Sequence, residues 1–338
     1  MRIFTTLSFI FLFTLIFLVH KAQAQEFVST QYYSNLPSLN PGFTGLDDHV
    51  DLKFSANQGW NSFNIKNNNF YVSVYASLNS SSRALVDNNT LRISSSAAQH
   101  SQSEKQLSRK HGMGGSLAGR NVGPYRSLTF SYNYAYHIPL SSRFTFSLGT
   151  TVAYLNQRID FSGFTVRDEI NDQFFKQLIS SGNGNQNSLL VDFGAVLYSN
   201  SFYFSVSSNN LIKNKLTNDN LLNFKETEQY QMCTAGNLRL GQSMVLSTGA
   251  RVRYKTGNEL AWAINARFRY KELLYVGSGY GNGSQLSLLF GLNFSTRFNL
   301  HYSYDQYLST LNNFNVNAHE IVLGIGLANK GNMLSRFW

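Results

Sequence analysis

The stretch Leu260-Ala261-Trp262-Ala263-Ile264-Asn265-Ala266-Arg267-Phe268-Arg269-Tyr270-Lys271 repeats every two residues. In an extended chain successive side chains point to opposite sides. Leu260, Trp262, Ile264, Ala266, Phe268 and Tyr270 therefore share one face, and Ala261, Ala263, Asn265, Arg267, Arg269 and Lys271 share the other. The alternation recurs along the chain. Val50, Leu52, Phe54 and Ala56 oppose Asp51, Lys53, Ser55 and Asn57, while Leu128, Phe130, Tyr132, Tyr134 and Tyr136 oppose Thr129, Ser131, Asn133, Ala135 and His137. Further copies cover 244–255, 284–294, 298–305 and 318–327. Several runs reach the roughly 9 to 11 residues that a tilted strand needs to cross a bilayer.

The composition agrees with half-buried sheet. Of 338 residues, 43% are hydrophobic and only 14% charged, with 19 Tyr and 27 Phe, yet the mean hydropathy of −0.22 is too polar for a helical membrane protein. A single cysteine, Cys233, excludes a disulfide scaffold, and its neighbours Met232 and Thr234 mark it as a buried strand thiol. The net charge of +10 is scattered along the chain, which argues against a nucleic-acid partner. The start of the chain has a different character. Arg2, an apolar run from Leu7 to Val19 and the small-residue pattern Ala22-Gln23-Ala24 read as a secretory signal peptide cleaved after Ala24. The run ends at His20-Lys21, short of the roughly 20 residues of a membrane anchor.

Connection lengths decide between barrel and sandwich. From the turn at Pro139 to Ser142 onward, brief connections (199–201, 241–243, 271–272, 295–297) alternate with generally longer ones (156–187, 209–229, 306–317), with 256–258 and 281–283 as short exceptions. Loops sorted to one side are the mark of an up-and-down transmembrane barrel, with tight turns in the periplasm and long loops outside. A soluble barrel or sandwich gives no reason for such sorting. The expected architecture is thus all-β, an antiparallel transmembrane barrel in contact with outer-membrane lipid. It has fourteen strands starting near Val50, Phe70, Gly112, Arg126, Arg143, Ser188, Phe202, Tyr230, Met244, Glu259, Leu273, Ser284, Phe298 and Ala318. An even count leaves both ends in the periplasm.

On that pattern Asp51, Asp192, Arg251, Arg253, Arg267, Arg269, Asp305 and Glu320 face the lumen. A turn at 256–258 sets Arg253 opposite Ala261, Arg251 opposite Ala263 and Arg267 opposite Ser247, so like charges do not meet across the hairpin. A polar lumen braced by arginines and carboxylates is the structural reading, and an anion-selective pore the functional one. Catalytic, cofactor and metal sites are not expected. His301, Ser303 and Asp305 share a face, but alternate strand positions lie about 6.6 to 6.8 Å apart, too far for a relay. Gly277, Gly279, Gly281 and Gly283 precede a strand pattern where a phosphate loop would open a helix, and the histidines lack metal-ligand spacing, His100 and His111 reading as a solvated loop pair.

Two segments break the alternation. Residues 168–182 read as a short loop helix, capped by Asp168, with a stripe of Ile170, Phe174 and Leu178 and a stop at Gly182. Residues 79–111 are polar, serine-rich and basic, and fall on the periplasmic side.

Three sets of residues carry a resemblance. Gln31-Tyr32-Tyr33-Ser34-Asn35 with Leu39-Asn40-Pro41-Gly42-Phe43-Thr44-Gly45 resembles the opening motif of the PorP/SprF family, outer-membrane proteins of the type IX secretion system of Bacteroidota. Asp192-Phe193-Gly194-Ala195 with Tyr198, Phe202-Tyr203 and Asn210-Leu211 is similar to its centre, and Tyr302-Ser303-Tyr304-Asp305 with His319-Glu320-Ile321 to its ending. Gly42 stands where the family usually has Ala, and Asn317-Ala318 where Gly-Ser is common. The resemblance implies a non-enzymatic outer-membrane barrel without cofactor. Its partners would be type IX secretion machinery components and a secreted type IX substrate, such as the C-terminal domain of a gliding adhesin. The chain divides into a signal peptide (1–24), a periplasmic lead-in or plug (25–46), the barrel (47–330) and a tail (331–338) ending in Phe337-Trp338. Within the second part, Asn40 to Gly45 form either a plug or a rigid lead-in, since Pro41 and the glycines break strand pairing.

Overall fold

The computed structural model describes residues 29–59, 67–78, 109–160, 171–173, 176–177, 185–217, 224–257, 259–282, 285–308, 316–328 and 337. Fourteen strands close into one barrel, each hydrogen-bonded to its neighbours in sequence. They are β1 (Val50–Gly59), β2 (Asn67–Ser77), β3 (Lys110–Val122), β4 (Tyr125–Pro139), β5 (Thr145–Ile159), β6 (Asn185–Tyr198) and β7 (Phe202–Lys215). The second half comprises β8 (Gln229–Arg239), β9 (Met244–Lys255), β10 (Glu259–Tyr270), β11 (Leu274–Gly281), β12 (Gln285–Asn293), β13 (Phe298–Tyr307) and β14 (Val316–Leu327). All pairs are antiparallel, and β1 closes on β14 from Val50 opposite Leu327 to Gly59 opposite Ala318. No helix among the described residues is long and apolar enough to cross a membrane.

The two faces obey the sequence alternation. On β12, Leu286, Leu288 and Phe290 are exposed outward, while Ser287 and Leu289 are buried inward. On β10, Ile264 and Phe268 are open to the outside, and Asn265, Arg267 and Arg269 are buried within. The register of the β9–β10 hairpin is the one the charges required, with Arg253 opposite Ala261, Arg251 opposite Ala263 and Arg267 opposite Ser247. Gly277 and Gly279 lie within β11 and Gly281 ends it.

Tight turns gather at the end where β1 begins and β14 stops. Ser141, Ser199 and Ser295 each turn their hydroxyl oxygen back to accept main-chain N–H groups two and three residues on, the side-chain bond that makes serine a turn residue. Lys271 and Glu272 both adopt positive φ, of 48° and 55°, as a two-residue hairpin turn matched to strand twist requires. The opposite end carries the longer connections. Gly123, with φ of 56°, and Pro124 add there a third short exception between β3 and β4.

One expectation shifts, and one falls largely outside the described residues. His111 belongs to β3 and not to a loop, its Nδ1 lying 2.7 Å from the Tyr134 hydroxyl of β4; His100, with most of 79–111, lies outside the described residues. The helix expected over 168–182 also lies largely outside them, although Gln173, Lys176 and Gln177 are helical and Lys176 N–H bonds the Asp172 carbonyl at 3.1 Å. Phe337, in the tail, is given no place by the sequence pattern. It returns to the lumen and is 2% exposed.

Ile264 stands mid-strand on β10 with 51% of its surface outward. Ile264→Lys should lower stability in lipid vesicles by about 2–4 kcal/mol, whereas Ala263→Ser, facing the lumen, should cost less than about 1 kcal/mol. Reversible urea unfolding checks the pair, and equal losses would refute the assignment of faces.

Candidate functional site, the occupied lumen

Residues 29–46 lie inside the barrel. Their conformation is local in origin: Tyr32–Ser38 forms two short 3₁₀ turns separated by a kink at Asn35, the second containing Pro37, and Pro41–Phe43 forms a single 3₁₀ turn whose N-cap, Asn40, accepts the Gly42 N–H at 2.9 Å. Short polar residues cap such turns because the side-chain oxygen replaces a missing main-chain acceptor. The segment runs the height of the lumen. At the long-loop end the Ser29 hydroxyl donates to Glu320 at 2.9 Å, and the Thr30 hydroxyl to Asp305 at 2.8 Å. At the short-turn end the Leu46 carbonyl accepts from Lys110 Nζ at 2.6 Å, close to the start of β1.

Between these points the wall donates mainly to main chain. Lys53 reaches the Ser34 carbonyl, and Asn133 Nδ2 the Pro37 carbonyl at 3.0 Å. The Leu39 carbonyl accepts from Ser207 and Gln231, at 3.2 and 3.3 Å. The Ser147 hydroxyl donates to Gly42 O at 2.7 Å. His137 Nε2 donates to the Thr44 carbonyl at 2.8 Å, while its Nδ1 meets the Tyr198 hydroxyl at 2.9 Å. In return Asn40 Nδ2 donates to the carbonyls of Ala195 and Val206, at 3.2 and 2.7 Å. Wall glycines make room. A Cβ on Gly149 would lie 2.4 Å from the Pro41 carbonyl carbon, one on Gly194 1.9 Å from Asn40 Oδ1, and one on Gly112 1.9 Å from the Thr44 carbonyl oxygen.

Aromatic rings supply the rest of the interface. Phe43 packs edge-on against Tyr203 at 4.9 Å, and Phe337 packs on the same ring at 4.8 Å, a cluster that also buries Leu36 and Cys233. The Arg251 guanidinium lies 4.9 Å over the Tyr32 ring, and that of Arg267 3.5 Å over Tyr33. Such contacts are worth about 2 kcal/mol or more when desolvated. The Tyr33 hydroxyl continues to Tyr275 at 2.9 Å and on to His301 Nδ1 at 2.8 Å.

The expected lumen charges divide. Arg251, Arg267 and Arg269 are buried on the β9–β10 wall, and Asp305 and Glu320 on β13–β14. The arginines and carboxylates brace the lumen through the segment and not through one another. No ion pair among the described residues joins Arg251 or Arg267 to a carboxylate; tyrosine rings cover the cations and hydroxyls satisfy the acids. Asp51 pairs instead with Lys53 at 2.8 Å. Asp192 serves the wall itself, accepting the Asn210 N–H at 2.6 Å where the β6–β7 register shifts. Arg253 is half-buried on β9. His301, Ser303 and Asp305 do share the inner face, and each is engaged by a different partner: Tyr275, Gln31 and Thr30. Among the described residues no group of three or more His, Cys, Asp or Glu could hold a metal ion.

The family model described as type IX secretion system membrane protein PorP/SprF matches residues 21–325. The chain belongs to the PorP/SprF family. No curated protein matches it in sequence. Among solved structures it is similar to the toluene transporter TbuX of Ralstonia pickettii at 9% identity and a TM-score of 0.49, covering 90% of this chain and 96% of that one. It is similar also to the CymD monoaromatic hydrocarbon channel (10%, 0.46, covering 90% and 94%) and to the outer membrane protein Omp33 of Acinetobacter baumannii (9%, 0.44, covering 84% and 100%).

The three sets of PorP/SprF-like residues, far apart in sequence, converge on the lumen segment. Gln31 Nε2 donates to Ser303 Oγ and to the Glu320 carbonyl, at 3.1 and 3.0 Å, joining the opening motif to the ending. Asn40 and Phe43 join it to the central one through Ala195 and Tyr203. The ending splits by strand parity: Asp305 and Glu320 point inward, while Tyr302 and Tyr304 lie on the outer face beside His319, whose Nδ1 is 2.8 Å from the Tyr302 hydroxyl. The departure at Gly42 has a packing reason, since a Cβ there would lie 2.8 Å from Val196 Cγ2; Gly45, at φ of 72°, needs glycine for its backbone. Lys53, His137, Ser147 and Asn265 went unremarked as partners of the segment, because in sequence they are only the polar half of an alternating strand. Gly149→Val should drive the segment out, so that protease added to the solubilised protein cuts residues 29–46 at least about tenfold faster while the strands stay resistant. Unchanged protection would show that this close approach is dispensable.

Proposed function

We propose that this PorP/SprF-family barrel sits in the outer membrane and assists the export, or the retention at the cell surface, of a protein carrying a type IX C-terminal signal domain, such as a gliding adhesin. The observation that carries the reading is the occupied lumen in a membrane protein of a secretion family. Tyr32, Tyr33, Leu36, Phe43 and Leu46 are buried where a diffusion pore keeps a water-filled path, which favours an accessory role over a passive porin. In this reading residues 1–24 are a leader removed near Ala24, residues 25–46 are the plug, and residues 47–330 are the barrel, with 331–338 as its tail. Outer-membrane lipid covers the apolar outer face. The long-loop mouth meets the exported protein, and the short-turn end faces the secretion machinery in the periplasm. No residue is assigned a catalytic role.

Two measurements test this. A mild-detergent pull-down of the tagged full chain from its native membrane, read by mass spectrometry, should recover a large exported protein or subunits of the secretion machinery; recovery of the barrel alone would turn the reading toward a porin. In planar bilayers the intact chain should conduct weakly, and deletion of residues 26–46 should open it while the barrel still assembles. Normal export together with unchanged conductance in that deletion would remove the plug role.

A further inference from the structure

The wall recognises the lumen segment largely through its main chain. The carbonyls of Ser34, Pro37, Leu39, Gly42, Thr44 and Leu46 each accept from a wall side chain, and every polypeptide offers such carbonyls whatever its sequence. Where the two chains approach most closely, the wall is glycine. Side chains are read mainly at the Ser29–Tyr33 end, where Ser29, Thr30 and Gln31 bond Glu320, Asp305 and Ser303 and the Tyr32 and Tyr33 rings lie under Arg251 and Arg267; further along, only the Asn40 amide and the Phe43 slot against Tyr203 add strong side-chain contacts. The fit is also incomplete. Gln31 Oε1, both polar atoms of the Asn35 amide and Thr44 Oγ1 are buried without a hydrogen-bond partner among the described residues, as are Asn133 Oδ1 and the Tyr203 hydroxyl on the wall. Buried polar atoms left unpaired cost free energy, so a segment that lacks those of Gln31, Asn35 and Thr44, or that pairs with Asn133 and Tyr203 on the wall, competes with the resident one.

We propose that the lumen is a binding site for an extended polypeptide segment of a partner chain, which takes the place of residues 29–46 and is held by the same carbonyl-directed donors. The preferred segment places one aromatic side chain over Arg267 and a second, ten residues further on as Phe43 is from Tyr33, against Tyr203. The site deepens the export reading and rests on it only for who supplies the segment.

Cys233 is a built-in reporter. It is the single cysteine of the sequence, 2% exposed and packed in the cluster of Leu36 and Phe43, so a charged maleimide reaches it only when the resident segment leaves. Purified full chain in detergent is incubated with a fluorescent peptide of residues 29–46, and with a second peptide carrying Ser38→Ala and Thr44→Val, whose side chains make no bond to the wall, but keeping Tyr32, Tyr33, Asn40 and Phe43. Both peptides should co-elute with the barrel, with affinities within about threefold of each other, because the altered side chains are not what the wall reads. In the full chain, Asn40→Ala or Phe43→Ala should raise peptide capture and Cys233 labelling about tenfold each, with heat-dependent gel mobility showing that the barrel is intact. Capture by neither the parent chain nor the loosened variants overturns the site, and capture of the first peptide alone overturns its main-chain reading. Failed capture beside recovered cargo in the pull-down removes the site and leaves the export reading; capture without cargo does the reverse.

Discussion

The hydrogen bonds between β1 and β14, from Val50 opposite Leu327 to Gly59 opposite Ala318, remove the two edges that a fourteen-stranded sheet would otherwise expose. In hydrocarbon no solvent replaces a missing partner for a main-chain N–H or C=O, so only a closed sheet is viable there. Closure then turns the usual arrangement of a protein inside out. Apolar side chains such as Ile264, Phe268, Leu288 and Phe290 need no internal core and lie on the outer face, while the polar half of every strand is forced into one enclosed space.

That enclosed space is the source of the site. Charged and amide side chains withdrawn from water need partners, and a ring of strands cannot supply them across its own width. Residues 29–46 provide them, with Tyr32 and Tyr33 beneath two guanidiniums, hydroxyls of Ser29 and Thr30 on two carboxylates, and a run of carbonyls for the wall donors. Tyrosine suits an enclosed arginine because the ring face attracts the cation without adding a charge to be desolvated. The walls hold the two signs apart on β9–β10 and β13–β14, so Arg251, Arg267, Asp305 and Glu320 each find a partner on the segment.

How far this could be read from the sequence follows from what periodicity encodes. Alternation reports which face a residue occupies, and one-sided loops report how strands connect, so the fourteen strands, their closure and even the Arg253–Ala261 register were legible. Neither signal reports what an inward residue touches. Lys53, His137 and Ser147 look like any polar wall residue, and their function depends on a segment with no period of its own. Asp192 had the right face, but its role depends on a register shift that leaves no trace in composition. Phe337 was illegible for a related reason: nothing in the tail sequence foretells the packing on Tyr203 that draws it inward. The resemblance of the three separated motifs pointed to the family, and the structure supplies a physical account of their coexistence, since they meet around one segment.

The direction of that segment bears on how the molecule is built. Its end nearest β1 lies at the short-turn rim, and its far end, at Ser29, is bonded to Glu320 across a separation of 291 residues. Contacts so remote in sequence are the slowest to form, because the loop they close is the longest. Drawing the segment into a finished cylinder would take its far end along the whole bore. Wrapping the strands around it needs no such passage, and makes sealing of the first strand to the last and burial of the segment a single late event. A chain assembled in that order acquires its membrane-spanning wall and its contents together, and the seam between β1 and β14 becomes the door through which any rearrangement of the interior is easiest before it shuts.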